Sequence, residues 1–348
     1  MQQFLILFAI GKLNGERSLS GVLHLLNGKK TSQTLTDGTL FHASFLFSAL
    51  PALDRATLET EVKQLQANGW VRSLSAETYC MTSLGTQALQ TWQKKHPYLL
   101  TINSLKYRKA ETLFFNVVSL YVQSLAHVLH NDTRFLPICN DFHVQRIVKR
   151  CMPKRSERQA SADQHYQEWL TLLNQLDEKS ATLFVLRMSH RTRTGLTIEQ
   201  LADQIALSKE EVSLRFRAVL HHFLQEALQQ PTLYPMLHTL AAASIGVESV
   251  PLTQSATKTY ELLQQGMTPQ EILRRRNIKR STLEDHLVEA AIHVPTFSID
   301  AFVSKDEQQA IQTAFTTLKT KKLKTLKEAL QDVSYFKIRL VLGKKGSE

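Results

Sequence analysis

A pattern of helix starts that occurs twice constrains this chain more than any other feature. Each occurrence has a Ser or Thr followed three residues later by Glu or Gln, the signature of a capping box at a helix N-terminus, and then a second such pair shortly afterwards. The four pairs are Thr197 with Gln200, Ser208 with Glu211, Thr268 with Glu271, and Ser281 with Glu284. Two closely spaced helix starts predict a helix-turn-helix at each place.

The second occurrence has the clearer boundaries. Gly266 can end the preceding helix in a left-handed cap, and Pro269 stands at a first helical position, where its missing N–H costs nothing. Asn277 tolerates the left-handed conformation of a tight turn. We therefore expect helices over about 269–276 and 282–292. Five apolar side chains would bury their junction: Ile272, Leu273, Ile278, Leu283 and Leu287.

The composition is typical of a helical protein with real hydrophobic cores. Gly and Pro are scarce, at 12 and 9 residues, while Leu, Ala, Gln, Glu and Lys recur throughout the 348 residues. Apolar residues make up 43% of the chain, which excludes an intrinsically disordered protein. We predict a mainly α fold, and the length by itself favours two or three domains.

Residues 1–97 are predicted to form a winged-helix-like domain with a small β-hairpin. The arrangement of helices, then a helix, a hairpin and another helix is the pattern of a winged helix. Helices are expected over 4–13, 19–26, 41–50 and 54–68, strands over 70–72 and 78–81, and a further helix after residue 82. For this domain, contact with protein is at least as well supported as contact with DNA.

Three more stretches complete the predicted organisation. Residues 98–152 hold long connecting helices, the longest over about 105–130. Residues 163–244 form a helical domain with a helix-turn-helix of the sigma-factor sort, and residues 256–343 form the last helix-turn-helix domain. Polar segments at 152–161 and 244–255 are interpreted as linkers. The most apolar long run, at 113–129, carries Asn, Ser, Gln and His residues, so we interpret it as part of a buried helix and not as a membrane span.

The charge of the chain favours a polyanionic partner. The formal net charge is +11 and the calculated pI is about 9.5, a footprint of nucleic-acid binding that ordinary solvated surface charge can also produce. In the last domain the cations gather around the turn, where the N-terminus of a second helix can meet a phosphate or enter the major groove. The predicted DNA-binding residues are Arg274, Arg275, Arg276, Lys279, Arg280, Ser281, Thr282 and His286.

The middle helix-turn-helix is a secondary candidate. Its second helix carries Arg215 and Arg217, but Lys209, Glu210 and Glu211 give its turn side a mixed charge. We therefore expect DNA contact there less strongly than at the carboxyl-terminal turn. Both units also fit an inert packing role, in which the arginines are only solvated surface.

Catalytic and metal-binding motifs are not found in the sequence. Cys80, Cys139 and Cys151 stand far apart without a paired-cysteine spacing, so we expect reduced thiols, no metal and no cofactor. No small-molecule substrate and no membrane association are expected. The short apolar run at residues 4–10 lacks a basic flank and a cleavage site, so we expect no signal peptide and a cytoplasmic, nucleoid-associated protein.

Two resemblances to known families cover the two ends of the chain. The segment from Thr257 to about Leu342 resembles the helix-turn-helix domain at the C-terminus of many RecQ-type helicases. The matching residues are Tyr260-Glu261-Leu262-Leu263, Gly266-Met267-Thr268, Glu271-Ile272, Arg276, Ser281-Thr282-Leu283 and His286-Leu287, and in the tail Ile299-Asp300 and Ser334-Tyr335-Phe336-Lys337-Ile338-Arg339-Leu340. The N-terminal part is similar to the YpbB family in Asn14-Gly15-Glu16-Arg17-Ser18, the run from Leu25 to Thr34, Asp37 and Leu40-Phe41.

The resemblance implies a division of labour with a helicase. Members of that family are stand-alone partners of a RecQ-like helicase of the RecS type, which keeps the ATPase lobes. It thus implies a non-catalytic accessory protein in DNA repair or recombination, with DNA and that helicase as partners. The alternatives are a helix-turn-helix transcription regulator and an interaction scaffold that binds no DNA.

Overall fold

The structure is a computed structural model that describes residues 1–132, 134–245, 252–294, 296–318, 320 and 323–345. It is mostly helical, with one small two-stranded sheet among these residues, and this confirms the predicted mainly α fold class. The chain forms two compact units. The middle unit consists of Lys95–Ser249 together with Met1, and the composite unit joins Gln2–Lys94 to Val250–Glu348.

The N-terminal part of the composite unit contains five α-helices and the hairpin. The helices are α1 (Gln2–Leu13), α2 (Leu19–Asn27), α3 (Ser32–Leu40), α4 (Arg55–Ala67) and α5 (Ser83–Lys95). Strands β1 (Val71–Ser73) and β2 (Tyr79–Met81) pair antiparallel, with Val71 opposite Met81. Helix α1 lies in the hydrophobic core of this part, since its side chains from Leu5 to Ile10 are all buried. The predicted order of helix, hairpin and helix is therefore present.

One predicted helix of this part is wrong. The segment 41–50 was expected to be helical, but it holds only a short 3₁₀ turn at Ser44–Leu46. Helix α3 precedes it and begins where Thr31 accepts a hydrogen bond from the backbone N–H of Thr34. The apolar side chains of 41–50 are buried all the same, so their hydrophobicity reflected burial and not helical periodicity.

The described residues of the middle unit form eight α-helices. They are α6 (Ser104–Tyr107), α7 (Ala110–Leu129), α8 (Phe142–Cys151), α9 (Arg158–Leu173), α10 (Glu178–Arg187), α11 (Ile198–Ile205), α12 (Lys209–Gln229) and α13 (Pro235–Ile245). Short 3₁₀ turns lie at Pro97–Thr101 and Arg155–Glu157. The core is rich in aromatic rings, with Phe114, Phe184 and Phe223 all buried.

Two predictions for the middle unit need correction. The helix expected over 105–130 is divided into α6 and α7, with a break at residues 108–109. The linker expected over 152–161 is shorter than predicted, since a 3₁₀ turn and the start of α9 occupy residues 155–161. By length and composition α7 could cross a membrane, but half of its most apolar window is buried in the unit.

In the C-terminal part of the composite unit, the residues that the structure describes form six α-helices. They are α14 (Gln254–Gln264), α15 (Pro269–Arg276), α16 (Arg280–His293), α17 (Lys305–Leu318), α18 (Leu323–Ala329) and α19 (Tyr335–Lys345). Helix α16 is central, since it contacts α14, α15 and α19, and also α3 from the N-terminal part. Of the linker predicted over 244–255, residues 246–251, including Gly246 and Pro251, lie outside the described residues.

Candidate nucleic-acid interface

The turn between α15 and α16 has the geometry that the sequence predicts. Thr268 accepts a hydrogen bond from the backbone N–H of Glu271, whose carboxylate accepts one from the N–H of Thr268, so the capping box is complete. The hydrogen bonds that this carboxylate accepts from the backbone N–H and the hydroxyl of Thr268 hold the pKa of Glu271 below its usual value. Helix α15 ends at Asn277, which adopts the left-handed conformation with φ 47° and ψ 47°. The chain therefore turns within three residues into α16.

The second helix begins two residues earlier than predicted, at Arg280. Lys279 is its N-terminal cap residue, and it makes no capping hydrogen bond through its side chain. The capping box predicted from Ser281 and Glu284 is therefore wrong. Glu284 instead accepts a hydrogen bond at 2.9 Å from Nε of Arg280, one turn before it on the helix surface. Without a capping side chain, the first N–H groups of α16 remain available to an anion.

The junction between the two helices is packed by most of the expected side chains. Ile272, Leu283 and Leu287 are fully buried, while Leu273 and Ile278 are partly buried. This packing fixes the direction of α16 relative to α15. The basic side chains around the turn are therefore carried by a rigid element.

Four of the cations around the turn are exposed on the surface. The side chains of Arg274, Arg275, Lys279 and Arg280 are exposed, and that of Arg280 keeps 84% of its surface accessible despite its ion pair with Glu284. Ser281 is also exposed, and Thr282 is partly buried. Six of the eight predicted DNA-binding residues thus lie together on one accessible turn.

Arg276 is turned inward by α14. Its guanidinium donates to the backbone O of Ser255 at 2.7 Å, to the Ser255 hydroxyl at 3.0 Å and to the hydroxyl of Thr259. These contacts tie the end of α15 to α14. The prediction that Arg276 contacts DNA is therefore replaced by a structural role, because its donors already have partners within the unit.

His286 is buried, so the prediction that it faces base edges is corrected. Its Nδ1 lies 2.8 Å from the hydroxyl of Thr259. Burial, reinforced by the positive charge of Arg276, lowers the pKa of His286 to about 4. The ring is therefore neutral near pH 7 and belongs to the packing between α14 and α16. Helical periodicity could have indicated this, because residues 283, 286, 287 and 290 follow the i, i+3, i+4, i+7 spacing of a buried helix face.

Asp285 and Arg339 form a contact that the sequence did not reveal. A guanidinium N–H of Arg339, on α19, donates to Oδ1 of Asp285 at 2.6 Å. The ion pair joins α19 to the second helix of the motif. Residues 54 positions apart carry no local signal of their contact, so only the tertiary structure could show it.

The middle helix-turn-helix has the same local geometry. Thr197 and Gln200 complete a capping box at the start of α11, and Ser208 caps α12 by accepting from the N–H of Glu211. Ala206 adopts the left-handed conformation between the two helices, with φ 51°. This stretch is thus a second helix-turn-helix, as predicted.

The two arginines proposed for DNA contact in this unit are enclosed. Arg215 is bonded to Glu211 at 3.0 Å and to Asp177 at 3.1 Å, and its guanidinium lies over the ring of Tyr98 at 4.2 Å. Arg217 lies 3.3 Å from the carboxylate of Glu111. Only 9% of the Arg215 side chain and 13% of the Arg217 side chain are exposed. Both predictions are corrected, because these arginines hold the middle unit together.

Glu111, the partner of Arg217, is also in contact with the buried side chain of His221. The imidazole Nε2 lies 2.9 Å from a carboxylate oxygen of Glu111, and Nδ1 accepts from the backbone N–H of Asn103 at 3.0 Å. Burial lowers the pKa of His221 although Glu111 opposes this. In the part of the chain that the structure describes, no group of three His, Cys, Asp or Glu residues has the geometry of a metal site.

Comparisons with known proteins agree with this geometry. Residues 255–342 match a family described as a helix-turn-helix domain, which covers α14 to most of α19. The whole chain is similar to Protein YpbB of Bacillus subtilis (strain 168), with 29% identity over 98% of this chain and 96% of that protein. No solved structure matches the chain significantly. The resemblance to YpbB therefore extends over nearly the whole protein, and its C-terminal part is a helix-turn-helix domain.

Proposed function

We propose that this protein is a non-catalytic, DNA-binding accessory factor whose main DNA contact is the exposed basic turn at α15 and α16. The observation that carries the proposal is the accessible group formed by Arg274 and Arg275 in the last turn of α15 and by Lys279 and Arg280 at the start of α16, which has no side-chain cap. Cations and the backbone N–H groups of a helix N-terminus attract phosphate without reading a base sequence.

The proposed partner is a RecQ-like helicase of the RecS type, within DNA repair or recombination in the cytoplasm and nucleoid. Support for the helicase comes from the family resemblance of the sequence, in which the partner supplies the DNA-binding module. Co-purification with that helicase, and unwinding assays with and without this chain, test it. Absence of both binding and an effect on unwinding would remove the helicase from the proposal.

The DNA contact is tested by removing the exposed cations only. The variant R274A/R275A/K279A/R280A leaves Arg276 and His286 in place, because these two residues support the fold. We expect weaker binding to duplex and forked DNA at all sequences. If each cation contacts a phosphate, the slope of log affinity against log salt falls by up to about 3.6. Fluorescence anisotropy at several salt concentrations measures both effects.

A matched control separates this site from general positive charge. Lys63 and Lys94 are exposed on α4 and α5 of the same unit, so K63A/K94A can be compared with R274A/R275A at equal net charge. Equal losses of affinity in the two double variants would show that the turn is ordinary basic surface. A strong preference for one duplex sequence over a fork would favour a transcription regulator instead.

A further inference from the structure

The middle unit has a second basic surface, which is formed by residues outside its helix-turn-helix. Between residues 134 and 158 the chain has seven Lys or Arg residues and two Asp or Glu residues. One of those carboxylates, Asp141, is engaged as the N-terminal cap of α8, where it accepts from the N–H groups of His143 and Val144. The cations of this segment therefore dominate its local charge.

Helix α8 arranges an aromatic ring and three cations on its outer face. Val144, Ile147 and Val148 are buried, whereas Phe142, Arg146, Lys149 and Arg150 are exposed. Spacings of four, seven and eight residues place these three cations on the same side as Phe142. At 1.5 Å per residue the stripe extends about 12 Å along the helix. It can thus follow a chain of phosphates over roughly two nucleotides.

No carboxylate in the described part of the chain neutralises the charges on this face. Among the described residues, Arg146, Lys149 and Arg150 form no ion pair with a carboxylate. The guanidinium of Arg146 lies 3.3 Å from Nδ1 of the neighbouring His143. In contrast to Arg215 and Arg217, these side chains keep their charge available to an outside partner.

The apolar residues beside the stripe are exposed on an ordered loop. Leu136 and Phe142 have 89% and 87% of their surface accessible. The buried amide of Gln123 on α7 donates to the backbone O of Leu136 at 3.2 Å and accepts from the N–H of Ile138 at 3.0 Å. Gln145 on α8 donates to the backbone O of Cys139 at 3.1 Å. Hydrogen bonds from α7 and α8 thus fix the backbone of the loop, and its apolar side chains stay exposed in this conformation.

We propose that this surface, defined by Leu136, Phe142, Arg146, Lys149 and Arg150, binds single-stranded nucleic acid. The ring of Phe142 offers a stacking face for an unpaired base, and the cations of α8 track the backbone, the combination that sequence-tolerant single-strand binders use. The proposal does not depend on the helix-turn-helix contact. A DNA duplex cannot make the stacking contact with Phe142, because its bases are already stacked on one another inside the double helix.

The test uses the full chain and a fluorescent oligothymidylate. We expect Phe142→Ala to weaken binding about fivefold or more, the loss typical of one stacking contact. R146A/K149A should weaken it further and lower the salt slope by about 1.4 for a single strand. Duplex binding should remain unchanged in both variants, which separates this surface from the basic turn.

Two controls of equal size are available in the same unit. Tyr166 on α9 is 62% exposed, so Tyr166→Ala matches the removal of an exposed ring. Lys179 and Arg191 are also exposed, so K179A/R191A matches the loss of charge. Losses in the α8 variants no greater than in these controls would overturn the proposal.

Two further measurements identify the kind of partner. In R274A/R275A/K279A/R280A the oligothymidylate should still bind, and complete loss there would overturn the proposal by assigning the single-strand signal to the turn. Polyglutamate of equal length should compete weakly, because it has no bases to stack on Phe142. Competition equal to that of unlabelled oligothymidylate would overturn the nucleic-acid assignment and favour an acidic protein.

Discussion

The two helix-turn-helix elements begin alike and differ in where their arginines point. Each first helix starts with a complete capping box and ends at a left-handed residue, Ala206 in one and Asn277 in the other. In the middle unit, Arg215 and Arg217 are buried against carboxylates. In the composite unit, Arg274 and Arg275 are exposed. The comparison teaches that one local motif serves either internal packing or an outside surface, depending on which side chains pack around its arginines.

The largest expected contrast is in stability. Arg215→Ala removes a partner of Glu211 and the contact with Tyr98, so we expect the free energy of unfolding to fall by about 3 kcal/mol, the low end for breaking a buried ion pair. Arg274→Ala alters an exposed side chain and should change it by less than about 0.5 kcal/mol. Urea unfolding of both variants gives the values. Similar values for the two would contradict the assigned roles.

The next contrast concerns pH and the buried His286. Its folded-state pKa of about 4 lies below the ordinary value of 6.5, so the unfolded chain takes up this proton first as the pH falls. The contribution of the neutral ring to stability is complete above about pH 6.5 and is lost progressively down to about pH 4. We expect the wild type to lose more stability than His286→Gln between about pH 7.5 and pH 5. Parallel losses in unfolding experiments would show that His286 is accessible to protons when folded.

The capping boxes allow a comparison of equal local changes. Thr197→Ala and Thr268→Ala each remove the hydroxyl that accepts the N–H of the third helical residue. We expect each to cost about 1 kcal/mol of stability. DNA affinity should fall in Thr268→Ala only, because α15 carries Arg274 and Arg275. Loss of DNA affinity in Thr197→Ala would give the middle motif a binding role after all.

The smallest expected effect is at the two left-handed turn residues. Ala206 has no side chain that favours φ 51°, whereas Asn277 tolerates φ 47°. Ala206→Gly should therefore raise stability by about 0.5–1 kcal/mol, and Asn277→Gly should leave it nearly unchanged. Thermal unfolding of the pair measures this difference. Equal shifts would show that the two turns bear equal strain.

The predictions from sequence were most accurate where the signal is local. Capping residues, Pro269 and Asn277 gave the start and end of α15 correctly. The capping box predicted from Ser281 and Glu284 was wrong, because Glu284 also lies one helical turn after Arg280 and forms an ion pair with it instead. Segment 41–50 failed for a related reason, since a short apolar run indicates burial without fixing the backbone conformation.

The sequence by itself determined the helical fold class, the two helix-turn-helix motifs and a basic turn near the C-terminus, because caps, turns and charge are properties of neighbouring residues. Only the tertiary structure decided which cations are available. Arg276 and His286 meet Thr259, and Arg215 meets Asp177, across 17, 27 and 38 residues of chain. Such partners are brought together by the packing of whole helices, which no local pattern encodes.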